Sequence, residues 1–202
     1  MLKLVAPAGS PEAVIAAVQS GTDMVYMGYG VSHGTDGKEP FSPEELAQCL
    51  RYCRIRGCKA AVSLGELTTD EGMDAVIQRA VYAARMGADA LVVQDLGLVS
   101  VLRQMLPDTP LWGSARMGVH NTDGARIAAA LGLEHIMLAP ELSADAIREI
   151  ARNLGYSETA VSVRLKKCAG NAVFFTGYVV LQHILADRKS KWRQNSGSYV
   201  HA

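Results

Sequence analysis

The sequence predicts an α/β fold: a parallel sheet of about six βα units, curled as an incomplete TIM-like (β/α) barrel over residues 1–154, followed by a divergent basic tail over 155–202. Three observations predict it. Four segments share one grammar, in which a glycine ends a helix and an x-polar-x step leads into a short apolar run: Gly21-Thr-Asp-Met-Val-Tyr-Met27, Gly57-Cys-Lys-Ala-Ala-Val62, Gly87-Ala-Asp-Ala-Leu-Val-Val93 and Gly132-Leu-Glu-His-Ile-Met-Leu138. Glycine suits the left-handed position that closes a helix, and a run of four or five apolar residues suits a strand buried on both faces. The order of helix and strand alternates strictly, which implies right-handed crossovers and a parallel sheet. Finally, the first βα turn, Pro7-Ala-Gly-Ser10, lacks the G-x-G-x-x-G fingerprint of the competing doubly wound architecture.

Strands are predicted at about residues 2–6, 24–28, 59–64, 90–94, 110–114 and 135–139, each followed by a helix. Ser10-Pro11 places a capping hydroxyl before a proline at the first helical position, and Ser42-Pro43-Glu44-Glu45 adds the glutamate of a capping box. Asp70, Asn121 or Thr122, and Ser143 are the predicted caps of later helices. Segments such as Glu44 to Arg56 and Met73 to Met86 are long enough, and apolar enough on one side, to lie against a sheet. A complete eight-unit barrel takes about 250 residues, so two units are missing or disguised in 202.

Composition narrows the classes of function. Hydrophobic residues make up 49% and charged residues 20%, within the range of folded globular domains and far from that of disordered chains. The formal net charge is zero, yet residues 1–152 hold 13 Lys+Arg against 18 Asp+Glu and residues 153–202 hold 7 against 2, an acidic body with a basic tail. Pro7 and Gly9 interrupt the apolar start, so no secretory leader is expected and the predicted compartment is the cytoplasm. The longest apolar stretch, Ala172 to Ala186, contains Gln182 and His183 and is shorter than the roughly 18–20 residues of a spanning helix, so no membrane role is expected.

The same residues carry a family resemblance. Leu4-Val-Ala-Pro-Ala-Gly-Ser-Pro-Glu-Ala13, Asp23-Met-Val-Tyr-Met-Gly28, Phe41-Ser-Pro-Glu-Glu-Leu46, Val92-Val-Gln-Asp-Leu-Gly97, His120-Asn121 and Leu138-Ala-Pro-Glu-Leu-Ser143 resemble, in order, successive landmarks of the U32 collagenase-like peptidase family over residues 2–152. The resemblance implies the barrel fold and a hydrolase of peptides; some members resemble hydroxylases of RNA bases or quinone precursors. The chain departs from the family pattern at strand ends. Tyr29-Gly-Val-Ser-His-Gly34 replaces an Asn-Ala-Arg stretch, Gly65-Glu66-Leu67 an Asn-Thr-Leu, Arg116 an amide, and Pro140 an arginine. Strand carboxyl ends are where barrel enzymes hold their chemistry, so an inactive remnant is a further reading.

The candidate catalytic carboxylates are Asp95 and Glu141, which follow strands and would face the barrel mouth; the alternatives are a helix cap or a solvated loop charge. Candidate substrate-binding residues are Ser10, Tyr26, Ser63, Gln94, Ser114, Arg116, His120 and Asn121. Of these, Ser10 and Asn121 are equally explained as N-caps. Ser63 and Ser114 are possible nucleophiles, but no G-x-S-x-G elbow accompanies either. Peptide or RNA is the substrate expected from the resemblance.

Cys49-x3-Cys53-x4-Cys58 lies within and just after a helix and lacks the second ligand pair of a zinc site, so buried free thiols and no metal are predicted. Family members understood as hydroxylases carry further cysteines beyond this region; here only Cys168 follows, and an iron–sulfur cluster generally takes four thiolate-type ligands. No cofactor is therefore expected in this chain, and a cluster only with such a cysteine segment. One account of the lost pattern is a change of reading frame near residue 155.

The tail offers a reading of another class. Residues 147–167 have the outline of a helix-turn-helix, with Arg164, Lys166 and Lys167 on the second helix, as DNA binding would require. The first helix is also the sixth barrel helix, and one face cannot be buried twice. Val173 to Thr176 and Tyr178 to Leu181 are candidate strands covering the open sheet edge, and an open edge makes self-association through it an expectation.

Overall fold

The computed structural model describes residues 4–30, 41–65 and 68–154 and the backbone of Val180–Leu181. The elements are β1 (Val5–Ala8), α1 (Pro11–Gln19), β2 (Met24–Gly28), α2 (Pro43–Ile55), β3 (Lys59–Ser63), α3 (Met73–Arg85), β4 (Ala90–Val93), α4 (Leu96–Met105), β5 (Leu111–Gly113), α5 (Thr122–Ala130), β6 (His135–Met137), α6 (Ala144–Asn153) and β7 (Val180–Leu181). Strands β1 to β6 lie side by side in chain order and are all parallel, while β7 is antiparallel to β6. The result is a curled half-barrel with helices on its outside, as the alternation predicts.

The glycine grammar is explained atom by atom. Gly21, Gly57, Gly87 and Gly132 have φ of 81°, 69°, 94° and 90°, the left-handed conformation. In each case the next residue's N–H reaches back five residues to a helix carbonyl: Thr22 to Ala17, Cys58 to Cys53, Ala88 to Ala83 and Leu133 to Ala128, at 3.0 to 3.3 Å. These are Schellman closures. The aspartate two residues after the glycine then caps the preceding strand. Asp23 accepts from the Leu4 N–H at 2.7 Å and Asp89 from the Ala60 N–H at 2.8 Å. Helix α4 lacks this glycine. It closes at Leu106, and Arg103 bonds the carbonyls of Pro107 and Thr109 instead.

The predicted N-caps hold with one correction. Ser10, Asn121 and Ser143 accept from the third helical N–H beyond them, and Ser42 and Glu45 form the full capping box. Asp70 instead opens a separate 3₁₀ turn over Asp70–Gly72, leaving Gly72 at the start of α3 with no side-chain cap. The first strand begins three residues later than predicted and ends two later, with Pro7 inside it. Proline is tolerated there because β1 is an edge strand. The Leu4 carbonyl accepts from Met24, so alternation turns the backbone groups of Val5 and Pro7 outward, where a missing N–H leaves no ladder bond unmade. Val180–Leu181 occupies the end of the predicted Tyr178–Leu181 strand; Val173 to Thr176 and the second half of the helix-turn-helix outline lie outside the described residues.

Alternation along the strands makes two layers. Outward-facing Val25, Met27, Ala60, Val62, Leu91, Val93, Leu111 and Ile136 pack with helix residues such as Leu46, Leu50, Val76, Leu98, Leu102, Ile147 and Ile150 in one core. Since α6 buries Ile147, Ile150 and Ala151 there, that face is not free to serve a helix-turn-helix. Inward-facing Met24, Ala61, Ala90, Val92, Trp112 and Met137 form a second, smaller cluster joined by Tyr26 and Ala115.

Candidate substrate-binding site

The inner face is built in rows. Register pairs Gly28 with Ser63, Ser63 with Val92, Val92 with Trp112 and Trp112 with His135. Two residues further along each chain, towards the carboxyl ends of the strands, stand Gly65, Gln94, Ser114 and Met137. The Trp112 and His135 rings stack with centroids 4.4 Å apart, which fills one side of the lower row. Gly28 and Gly65 contribute no side chain to these rows.

Gln94, Asp95 and Arg116, all predicted site residues, line one cleft of about 290 Å³ together with Thr68. Arg116 is positioned at both ends. Its backbone N–H donates to Ser114 Oγ at 3.3 Å, and its Nη1 donates to the Gly65 carbonyl at 3.1 Å, so it bridges the ends of β3 and β5 across β4. Asp95 has two tasks available. Its Oδ1 accepts from the Leu98 N–H at 2.6 Å as the N-cap of α4, while the residue still lines the cleft.

On this inner face Ser63 Oγ, in a residue only 1% exposed, and Gln94 Oε1 lack hydrogen-bond partners among the described residues. Leaving a buried hydroxyl or amide oxygen unpaired is costly, so such atoms call for an explanation. Tyr26 also faces inward, in register with Ala61 and two residues before Gly28.

The remaining predicted residues are not gathered here. Ser10 and Asn121 serve as N-caps, accepting from Ala13 and Gly124 at 3.3 and 2.7 Å. His120 is exposed, with Nδ1 2.6 Å from the Gly118 carbonyl, and Glu141 is exposed in the turn before α6. Ser63 and Ser114 have neither a histidine nor a carboxylate as hydrogen-bond partner among the described residues. Sequence reasoning missed Thr68; it follows strand three by a few residues, but nothing in its local pattern distinguishes it from a loop threonine.

The described thiols lie in the outer core. Cys49, Cys53 and Cys58 are buried and free. Burial, then nearby acidic groups, pushes Cys49 up to about 11; burial, then the neighbouring thiols, pushes Cys53 up to about 12. Among the described residues no group of three or more His, Cys, Asp or Glu gathers as a metal site.

With this geometry in place, comparison with known proteins defines the class. The chain belongs to peptidase family U32, whose model matches residues 9–191. That match runs past residue 155 and so counts against a change of reading frame there. It is 25% identical over 189 residues to the 23S rRNA 5-hydroxycytidine C2501 synthase of Escherichia coli, covering 94% of this chain and 28% of that protein. Over 151 residues it is 27% identical to tRNA hydroxylation protein P1 of Bacillus subtilis and 26% identical to a collagenase of Porphyromonas gingivalis, covering in both cases 73% of this chain and 35% of the other. The chain thus spans about a third of the length of these curated relatives. The structure of the U32 peptidase Mk0906 superposes with a TM-score of 0.62 at 20% identity, over 87% of this chain and 71% of that one, which establishes the shared fold. Among the described residues no helix is long and apolar enough to cross a membrane.

Proposed function

We propose that this chain is a U32-type substrate-binding barrel whose mouth takes a base of RNA, and that the peptidase activity in the family's title is not the one it serves. The observation that carries this reading is a mouth rich in hydrogen-bonding groups and, among the described residues, without an activated nucleophile. Gln94, Asp95, Thr68 and Arg116 surround the cleft, while the two serines at the strand ends have, among the described residues, no general base of the kind acyl transfer requires as a hydrogen-bond partner. Relatives named for hydroxylation of rRNA and tRNA support the choice of RNA over peptide. The acidic body argues against tracking a long phosphate backbone, so recognition rests on the base more than on the chain.

The collagenase relative keeps the peptidase as the second reading, with Asp95 as its best acid–base group. Two assays on the full chain separate them. Fluorescence anisotropy is expected to detect binding of a short single-stranded RNA and gelatin zymography to show no cleavage. Gelatin cleavage that disappears in Asp95→Asn would overturn the proposal.

A further inference from the structure

We infer that Ser63 and Gln94 act together as the specificity-determining pair of this site, reading an amide edge on which N–H and C=O lie side by side, as in the ring of uracil. The inference rests on the base-binding reading above and adds which atoms make the choice. Both side chains face the lumen: Ser63 shares its face with Ala61 and Gln94 with Val92, inner-cluster residues, whereas Val62 and Val93 belong to the outer core. Register places Ser63 beside Val92, so Gln94 is its diagonal neighbour one row nearer the mouth. Such neighbours stand roughly 7–8 Å apart, a gap that a flat ring edge can bridge with one hydrogen bond to each.

The chemistry of the pair is complementary. A hydroxyl can donate to a ligand carbonyl, and a carboxamide oxygen can accept from the N–H beside it. Both atoms are buried without partners among the described residues, so a ligand that satisfies them relieves a cost already present in the free protein. A trans peptide group does not match, because its N–H and C=O point in opposite directions. A ring lactam does, because closure holds the two on one side.

The test uses the full chain with two probes: a single-stranded oligouridylate and the same oligomer with every base methylated at N3, which removes the N–H. Anisotropy titrations are expected to show the methylated oligomer bound about tenfold more weakly, the size of one lost hydrogen bond. Ser63→Ala and Gln94→Leu should each weaken oligouridylate binding by a similar factor, and Gln94→Leu should narrow the difference between the two oligomers. Thermal melting provides the second readout. If Ser63 were merely structural, Ser63→Ala would lower the melting temperature; removal of an unpaired buried hydroxyl should leave it unchanged or raise it. Failure of both oligomers to bind the wild-type chain overturns the base-binding reading and this inference with it. Equal binding of both oligomers, unaffected by either substitution, overturns the pairing alone.

Discussion

Asp95 is held by a short bond to the Leu98 N–H, and that bond makes its contribution to stability separable from any contribution to binding. Asp95→Ala is expected to destabilise the chain by about 1 kcal/mol through loss of the cap, while Asp95→Asn, which keeps an N-cap acceptor, should melt close to wild type. Urea denaturation of the two variants checks this. The thiols give a second prediction at the same scale. Burial raises Cys49 to about 11 and Cys53 to about 12, from an ordinary value of 9.0. A group whose pKa is higher in the folded state keeps its proton while the unfolded chain loses it, so its contribution is intact below about pH 9 and falls as pH rises towards 11 to 12. Stability should therefore decline across that window, less steeply in Cys53→Ala, and native thiols should resist alkylation at pH 8. Rapid labelling of the three described cysteines in folded protein would contradict their burial.

Among the elements, the repeated unit is a helix closed by a left-handed glycine, then an aspartate or other polar residue, then a core strand. Gly57 has no atom within 4 Å of the position a Cβ would take, so Gly57→Ala isolates the backbone strain and should cost about 1–2 kcal/mol. Asp89→Ala should cost about 1.5 kcal/mol, because the Ala60 N–H loses a charged acceptor. Both are measurable as shifts in the denaturation midpoint. Glycines and caps were legible in the sequence because each acts on residues within five positions. The strand-capping role of Asp23 and Asp89 was not, since the N–H groups they satisfy lie 19 and 29 residues away. Asp70 misled for the same reason in reverse: its cap-like pattern is local, but the chain spends it on a separate 3₁₀ turn.

For the molecule as a whole, periodicity and alternation were enough to predict six parallel strands with helices outside, but only coordinates show which strand-end residues meet. Gln94, Asp95 and Arg116 converge on one cleft, whereas Ser10, His120, Asn121 and Glu141, equally plausible by position, do not join it. The half-barrel also exposes Leu4 and Val5 at the β1 edge. Pro7 removes one of that edge's outward donors, which limits ladder formation with another strand. We propose that residual self-association runs through this edge, so Val5→Lys should reduce any dimer seen by analytical ultracentrifugation. The central claim is that ligand enters at the carboxyl ends of the parallel strands. Photo-crosslinking of the full chain to a 4-thiouridine oligonucleotide, followed by mass spectrometry of the crosslinked peptides, tests it most directly. The account predicts adducts on the peptides holding Ser63 to Thr68, Gln94–Asp95 and Ser114 to Arg116; adducts confined to the outer helices or to the basic residues beyond 153 would contradict it.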